Sequence, residues 1–311
     1  MQHVLIINPH AGKRNQTARF YATADTLRTQ HGLECQCMLT SCSGGAASMA
    51  RTLAASGKPV RLYACGGDGT ASEVANGIAG YPNAAMTVIP SGTGNDFLKN
   101  FGPDAARFSD VESLWDGPSF PLDLIDGNGR LCLTIACSGI DAQIADGIDQ
   151  FRRIPLLHGR ASYLCSVAVN GLLRPLGHAW TVTLDGIPQT GKFALVSVCN
   201  GRYYGGGSTP VPEARMDDGI LHTILIRAVP RRVFARFFPA YSAGRWQELP
   251  ADLVQVVQAR ETVISAPAPF TTCLDGECFH WQEARLVLSA RKVNFFGPKG
   301  CSPNATARGS I

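Results

Sequence analysis

Apolar positions follow two different regimes along the chain. Up to about residue 90, short apolar or β-branched runs alternate with stretches whose apolar residues recur every three to four positions. His3-Val4-Leu5-Ile6-Ile7-Asn8 predicts a strand, a loop follows at 8–13, and Phe20, Ala24 and Leu27 then mark one face of a helix. The alternation continues with a strand at 34–39, a helix at 46–55, a strand at 60–65, a helix at 72–79 and a strand at 86–89. Strands alternating with helices predict a doubly wound, mostly parallel α/β sheet. Such sheets bind ligands beyond the carboxyl ends of their strands, where the glycine-bearing loops 8–13, 66–70 and 90–94 would all lie.

Around Pro118–Pro121 the pattern changes to short strands separated by turns, at 120–125, 130–137, 179–184, 192–199, 220–227, 253–257, 262–266 and 284–288. With the turn signal Asp126-Gly127-Asn128-Gly129 this predicts an antiparallel, β-rich second domain. Helices are expected at 160–173, with Leu164, Val167, Ala168 and Leu172 inward, and at 230–245. The latter has Phe234, Phe237, Phe238 and Tyr241 opposed by Arg232 and Arg236, and Pro239 is expected to break it into short segments. Its aromatic face can pack on a sheet or touch lipid headgroups. The glycine- and proline-rich connection 201–221 is long for a compact domain, which favours a functional role. The boundaries read as 1–120 for the α/β domain, joined by 294–300, then 121–293 for the β-rich domain, with a disordered tail over 299–311.

With 311 residues, 45% apolar and 17% charged, the chain can build two cores. A net charge of +4 suits an anionic membrane surface and lacks the basic stripe of a nucleic-acid binder, so no nucleic-acid partner is expected. The N-terminus shows no signal-peptide pattern and no apolar run approaches the ~18 residues of a membrane span, so a cytoplasmic location is expected. The 11 cysteines form no CxxC pair and read as free thiols. The histidines show no metal spacing, and His10, His158 and His280 read as surface or packing residues.

Gly66-Gly67-Asp68-Gly69-Thr70 ends an apolar strand, and its bare backbone N–H groups suit phosphate, with Asp68 able to hold Mg²⁺; an ordinary strand-to-helix turn fits as well. The 8–13 loop is not a P-loop, because Ile7 and Arg14 stand at two required positions. Neither 66–70 nor 92–94 completes GxGxxG, since Ser72 and Phe97 fall at the last glycine. Asn95 and Asp96 read either as helix caps or as site residues. Asp275-Gly276-Glu277 reads as a hairpin turn; if extended, residues 275 and 277 share a face and offer two carboxylates, one able to accept a hydroxyl proton.

Gly66–Thr70, Ser91-Gly92-Thr93-Gly94-Asn95-Asp96-Phe97, the Gly205–Leu221 stretch with Pro212, Ala214 and Asp217-Asp218-Gly219, and Leu274-Asp275-Gly276-Glu277 together resemble the soluble diacylglycerol kinase family, which includes bacterial lipid kinases and the sphingosine and ceramide kinases. The resemblance runs from Asn8 to about Phe296. It implies an α/β nucleotide domain, a β-sandwich domain and an active site in the cleft between them. It implies an enzyme moving the γ-phosphoryl group of ATP, with Mg²⁺, to a lipid hydroxyl at the inner face of the membrane, diacylglycerol first among candidates. Asn8, Lys13, Gly66, Gly67, Asp68, Gly69, Thr70, Gly92, Thr93 and Asn95 would hold ATP, Asp68 would carry Mg²⁺, and Asp96 and Asp123 would support the catalytic network. Asp275 would be the general base, with Glu277 beside it. Asp218 and the carbonyls of Arg215 and Ile220 would form a structural Mg²⁺ site. Gly159-Arg160-Ala161-Ser162-Tyr163 matches a segment followed in some members by a lysine; Ser166 stands on the following helix, leaving Arg160 as a substitute. Phosphatidylglycerol, sphingoid bases and polyprenols are alternative substrates. NAD kinase and a catalytically silent lipid-binding protein are alternative functions, and a homodimer is left open.

Overall fold

A computed structural model describes residues 1–12, 14–92, 94–152 and 176–303, with backbone only for 148–152. Lys13, Thr93, Arg160, Ser166, the helix expected at 160–173 and the end of the expected tail lie outside these residues. The chain divides into two compact units, Met1–Leu124 with Ala290–Ile311, and Ile125–Ser289.

In the first unit the apolar runs form β1 (Gln2–Ile7), β2 (Cys35–Leu39), β3 (Val60–Gly66) and β4 (Ala84–Pro90), alternating with α1 (Thr17–His31), α2 (Gly45–Ala55) and α3 (Asp68–Ile78). With β5 (Ser119–Leu122) and β16 (Val293–Phe296) they make a six-stranded sheet in the order β2-β1-β3-β4-β16-β5. All neighbours are parallel except β5, which runs antiparallel to β16. The doubly wound α/β expectation therefore holds. Val4 to Ile7 are fully buried, and Phe20, Ala24 and Leu27 of α1 are buried as the spacing predicted. Phe101, Phe108, Phe120 and Phe295 form an aromatic cluster around the returning strand β16. A four-residue helix, α4 (Asp96–Lys99), follows the second glycine loop. The expected helix at 72–79 begins earlier, at Asp68, so the glycine loop already contains its first turn. Among the described residues of the expected tail, Pro303 is buried and Lys299 pairs with Asp116 at 2.5 Å.

The second unit is an antiparallel sheet, in the order β13-β12-β11-β8-β14-β15-β6-β7 with β9 and β10 attached at β14. The strands are β6 (Ile125–Gly127), β7 (Arg130–Cys132), β8 (Ile135–Gly139), β9 (Thr181–Leu184), β10 (Ile187–Gln189), β11 (Phe193–Cys199), β12 (His222–Arg227), β13 (Val254–Gln258), β14 (Glu261–Leu274) and β15 (Glu277–Leu288). The antiparallel expectation holds, with differences that have local causes. The strand expected over 130–137 is broken at Leu133–Thr134, whose N–H groups turn to the Asp275 carboxylate rather than to a neighbouring strand. The two strands expected around 262–266 and 284–288 are long partners, interrupted between Ser265 and Phe270 by Pro267 and Pro269, which have no N–H for the ladder. Helix α5 (Ile140–Arg152) had no counterpart in the sequence reading. Helix α6 (Arg231–Ser242) is continuous: Pro239 sits inside it near its C-terminal end and does not break it as expected. Phe234, Phe237 and Phe238 pack against the core, while Arg231, Arg232 and Arg236 are exposed.

Candidate active site

In the first unit, the three glycine loops meet through glycines that leave no room for a side chain. A Cβ at Gly12 (φ +81°) would lie 2.0 Å from the Ser91 carbonyl oxygen, and one at Gly66 would lie 2.2 Å from Thr70 Oγ1. A Cβ at Gly92 would lie 2.7 Å from the Gly67 Cα. The main chains at 66 and 91 are also joined, Ser91 N–H donating to the Gly66 carbonyl at 2.9 Å. Asn8 Nδ2 donates to Thr70 Oγ1 at 3.3 Å, while Asn8 Oδ1 accepts the His10 N–H. Asn8, Gly12, Gly66, Gly67, Thr70, Ser91 and Gly92 thus occupy one place, as the strand ends predicted.

Asp68 has a different part from the one a bare loop suggested. Its Oδ2 accepts from the Asp96 N–H and its Oδ1 from the Phe97 N–H, both at 3.0 Å. It therefore caps α4 from 28 residues away. The cap expected from Asn95 is not made: Asn95 adopts the left-handed conformation (φ 49°, ψ 44°) and its Nδ2 returns to the Gly92 carbonyl at 3.0 Å. Asp96 pairs with Lys99. Asp123, 1% exposed, is paired with Lys292 Nζ at 2.8 Å.

These residues fit a phosphate-bearing nucleotide. Helix α3 begins at Asp68 with Gly67 as its N-cap and no side-chain cap, and a helix N-terminus of this kind suits an anion. Ser91 Oγ and Asn95 Oδ1 are buried polar atoms with no hydrogen-bond partner in the structure, and a buried polar atom left unpaired costs about 1–3 kcal/mol. No cluster of three His, Cys, Asp or Glu side chains arranged to hold a metal occurs among the described residues. Asp68 and Asp96 are the carboxylates beside the loops, a donor set suited to Mg²⁺ shared with phosphate oxygens rather than caged by protein.

In the second unit, Asp275 and Gly276 form a two-residue turn joining β14 to β15, both with positive φ (48° and 96°), which matches the type I′ turn favoured by Asp-Gly. The Asp275 carboxylate points back to the break between β7 and β8. Its Oδ2 accepts from Leu133 N–H, and its Oδ1 from Thr134 N–H at 2.9 Å, Thr134 Oγ1 at 2.5 Å and Ile135 N–H at 3.4 Å. The side chain is thereby held in one orientation by backbone donors. Beside it, burial and then the Asp275 charge push the Cys132 thiol well above its usual range. Residues 133–134 also anchor the start of the 201–221 connection: Asn200 and Gly201 donate their N–H groups to the Thr134 carbonyl, and Asn200 Nδ2 donates to the Leu133 carbonyl at 2.7 Å. Glu277 is exposed and lines a cavity of about 470 Å³ together with Ala145, Asp146, Gly276, Cys278 and Phe279. Asp218 closes a turn on the Ile220 N–H at 3.0 Å, and Arg215 pairs with Asp217 at 3.6 Å.

Asp141, which the sequence reading passed over, is the most buried acid among the described residues of this unit. It stands in the first turn of α5, 5% exposed, and its Oδ2 accepts from Tyr204 of the glycine-rich connection and, at 3.2 Å, from Tyr241 of α6. Its Oδ1 has no partner among the described residues. Burial pushes its carboxyl up to about 6, against the lowering effect of the two tyrosines. Asp141 is the one charged residue between Arg130 and Asp146, and that isolation was the available signal.

Two families match the chain: the diacylglycerol kinase catalytic domain over residues 2–126, and the YegS C-terminal NAD kinase beta sandwich-like domain over 134–293. A Pseudomonas aeruginosa protein named "Probable lipid kinase YegS-like" is 32% identical over 247 residues, 77% of each chain. The chain belongs to the YegS-like lipid kinase family. A "Probable lipid kinase YegS-like" of Xanthomonas oryzae pv. oryzae is 26% identical over 306 residues, 96% of each chain. A solved structure of a diacylglycerol kinase from Bacillus anthracis str. Sterne shares the fold, with a TM-score of 0.68 at 19% identity over 95% of this chain and 96% of that one. Membership of this lipid kinase family implies use of ATP and of a lipid substrate. None of the helices among the described residues is long and apolar enough to cross a membrane.

Proposed function

We propose that the protein transfers the γ-phosphoryl group of ATP to the hydroxyl of a membrane lipid, with diacylglycerol as the first candidate acceptor and phosphatidic acid as product. The observation that carries this reading is the joint presence of an uncapped α3 start beside the partnerless Ser91 Oγ and Asn95 Oδ1, and of a carboxylate turn fixed at Asp275. Phosphoryl transfer needs mainly alignment and neutralisation of charge. Asn8, Lys13, Gly66, Gly67, Gly69, Thr70, Gly92, Thr93 and Asn95 bind and align the nucleotide. Asp68 fixes the loop 95–97 and, with Asp96, would hold Mg²⁺, which would supply charge neutralisation at the phosphates. Asp123 supports the first unit's strand ends through Lys292.

Asp275 accepts the hydroxyl proton, and Glu277, on the cavity wall, orients the acceptor. Asp218 with the Arg215 and Ile220 carbonyls would be the structural Mg²⁺ set; in the structure Asp218 Oδ1 accepts from the Ile220 N–H. Arg231, Arg232 and Arg236, exposed along α6, draw the protein to anionic headgroups. A labelled-ATP assay against diacylglycerol, phosphatidylglycerol, a sphingoid base, a polyprenol and NAD tests the reading: a labelled lipid supports it, whereas label in NAD alone overturns it.

A further inference from the structure

Three thiols lie side by side beneath the turn that carries Asp275. The β-ladder sets Cys273 of β14 directly opposite Cys278 of β15 on one side and Cys137 of β8 on the other. Residues directly opposite one another across a ladder share a face of the sheet, so the three side chains are neighbours. No described cysteine is in a disulfide. Cys137 and Cys273 are 4% and 5% exposed, whereas Cys278 is half-buried and lines the 470 Å³ cavity. Cys278 is the member of the three that a small solute reaches.

The two neighbouring pairs are not equivalent. The Asp275 N–H donates to the Ile135 carbonyl at 3.2 Å, so 275 and 135 form a hydrogen-bonded pair; two residues on, Cys273 and Cys137 form another. On its other side, the two-residue turn makes Leu274 and Glu277 the hydrogen-bonded pair, leaving Cys273 and Cys278 a non-hydrogen-bonded one. Such pairs bring Cα atoms to about 4.5 Å, inside the ~4.4–6.8 Å range of disulfides. A bond there requires the Cβ atoms to close from roughly 4.5–5.5 Å to about 3.8 Å, two residues from Asp275 along the chain.

We propose that Cys273 and Cys278 are a peroxide-sensitive thiol pair, and that their disulfide displaces the Asp275 turn and suppresses phosphoryl transfer. The Cys278 thiolate attacks hydrogen peroxide, breaking the O–O bond; hydroxide leaves, takes up a proton as water, and a sulfenic acid remains. Cys273 sulfur then attacks that sulfur, giving up its proton as a second water leaves, so that two thiols and one peroxide become one disulfide and two waters. Contact with Cys137 and burial hold the Cys273 thiol well above its usual range, which makes it the second, slower partner and Cys278 the first. The activity part rests on the reading of Asp275 as general base; the bond itself does not.

The test treats the full-length protein with hydrogen peroxide, alkylates it and maps its tryptic peptides. Residues 261–285 form one peptide containing both cysteines. The expected product is that peptide unalkylated and two hydrogens lighter, reverting with dithiothreitol. Both thiols remaining alkylatable, or a bridge to Cys137, overturns the pairing. Lipid phosphorylation, assayed in parallel, should fall about tenfold or more with bond formation and recover on reduction. Cys278→Ser and Cys273→Ala should each make activity indifferent to peroxide. Undiminished activity in the bridged protein overturns the switch. Absence of kinase activity in the reduced protein contradicts the proposed function instead, and leaves the peptide measurement standing.

Discussion

Asp275 carries the residue-scale argument, because its two oxygens are oriented by Leu133, Thr134 and Ile135 before any acceptor arrives. Asp275→Asn is expected to lower turnover by at least about a hundredfold while ATP affinity by calorimetry stays within about twofold. Gly66→Ala tests the other unit: its Cβ would meet Thr70 Oγ1 at 2.2 Å, so ATP should bind at least about tenfold more weakly and stability should fall by about 1–3 kcal/mol, read by denaturant titration. Asp141 gives a pH prediction. Its carboxyl rises from 3.8 to about 6 on folding, so the native state holds the extra proton between about pH 4 and 6. Stability from this group is therefore full below about pH 4, is lost as pH rises to about 6 and is level above. The loss totals roughly 3 kcal/mol. The difference in stability between wild type and Asp141→Asn should follow that window, and a pH-independent difference would contradict it.

At the scale of elements, helix α6 combines core-packed phenylalanines with exposed Arg231, Arg232 and Arg236. Reversing the three arginines to glutamate should abolish salt-sensitive sedimentation with anionic liposomes while leaving melting temperature within a few degrees. The elements legible in the sequence were those whose signal is local. Strands β1 and β3 show as apolar runs, and the Asp275-Gly276 turn shows through a dipeptide suited to positive φ. Helix α5 was not legible because Ile135–Gly139 and Ile140–Ile144 run together as one apolar stretch; the break is made by Gly139 at φ +100°, whose Cβ would lie 2.3 Å from the Ala194 carbonyl oxygen. The partners of Asp275 are 142 residues away in sequence at Leu133, and those of Asp68 are 28 and 29 residues away. Contacts at such separations are set by tertiary packing. The sequence could therefore nominate these carboxylates but not their hydrogen bonds.

For the whole molecule, one chain carries a parallel α/β unit whose sheet is completed by its own returning strand β16, and an antiparallel unit whose long β14–β15 hairpin bears the proposed base. The chain belongs to a lipid kinase family. In the proposed reading the acceptor is oriented at the cavity beside Glu277, whose lining has no sequence motif. The central claim is tested most directly by incubating the purified protein with γ-labelled ATP, Mg²⁺ and mixed vesicles containing diacylglycerol, in parallel with Asp275→Asn. Label is expected in phosphatidic acid with the wild type, and at least about a hundredfold less with the variant. Equal labelling by both proteins, or no label in any lipid of the panel, would contradict it.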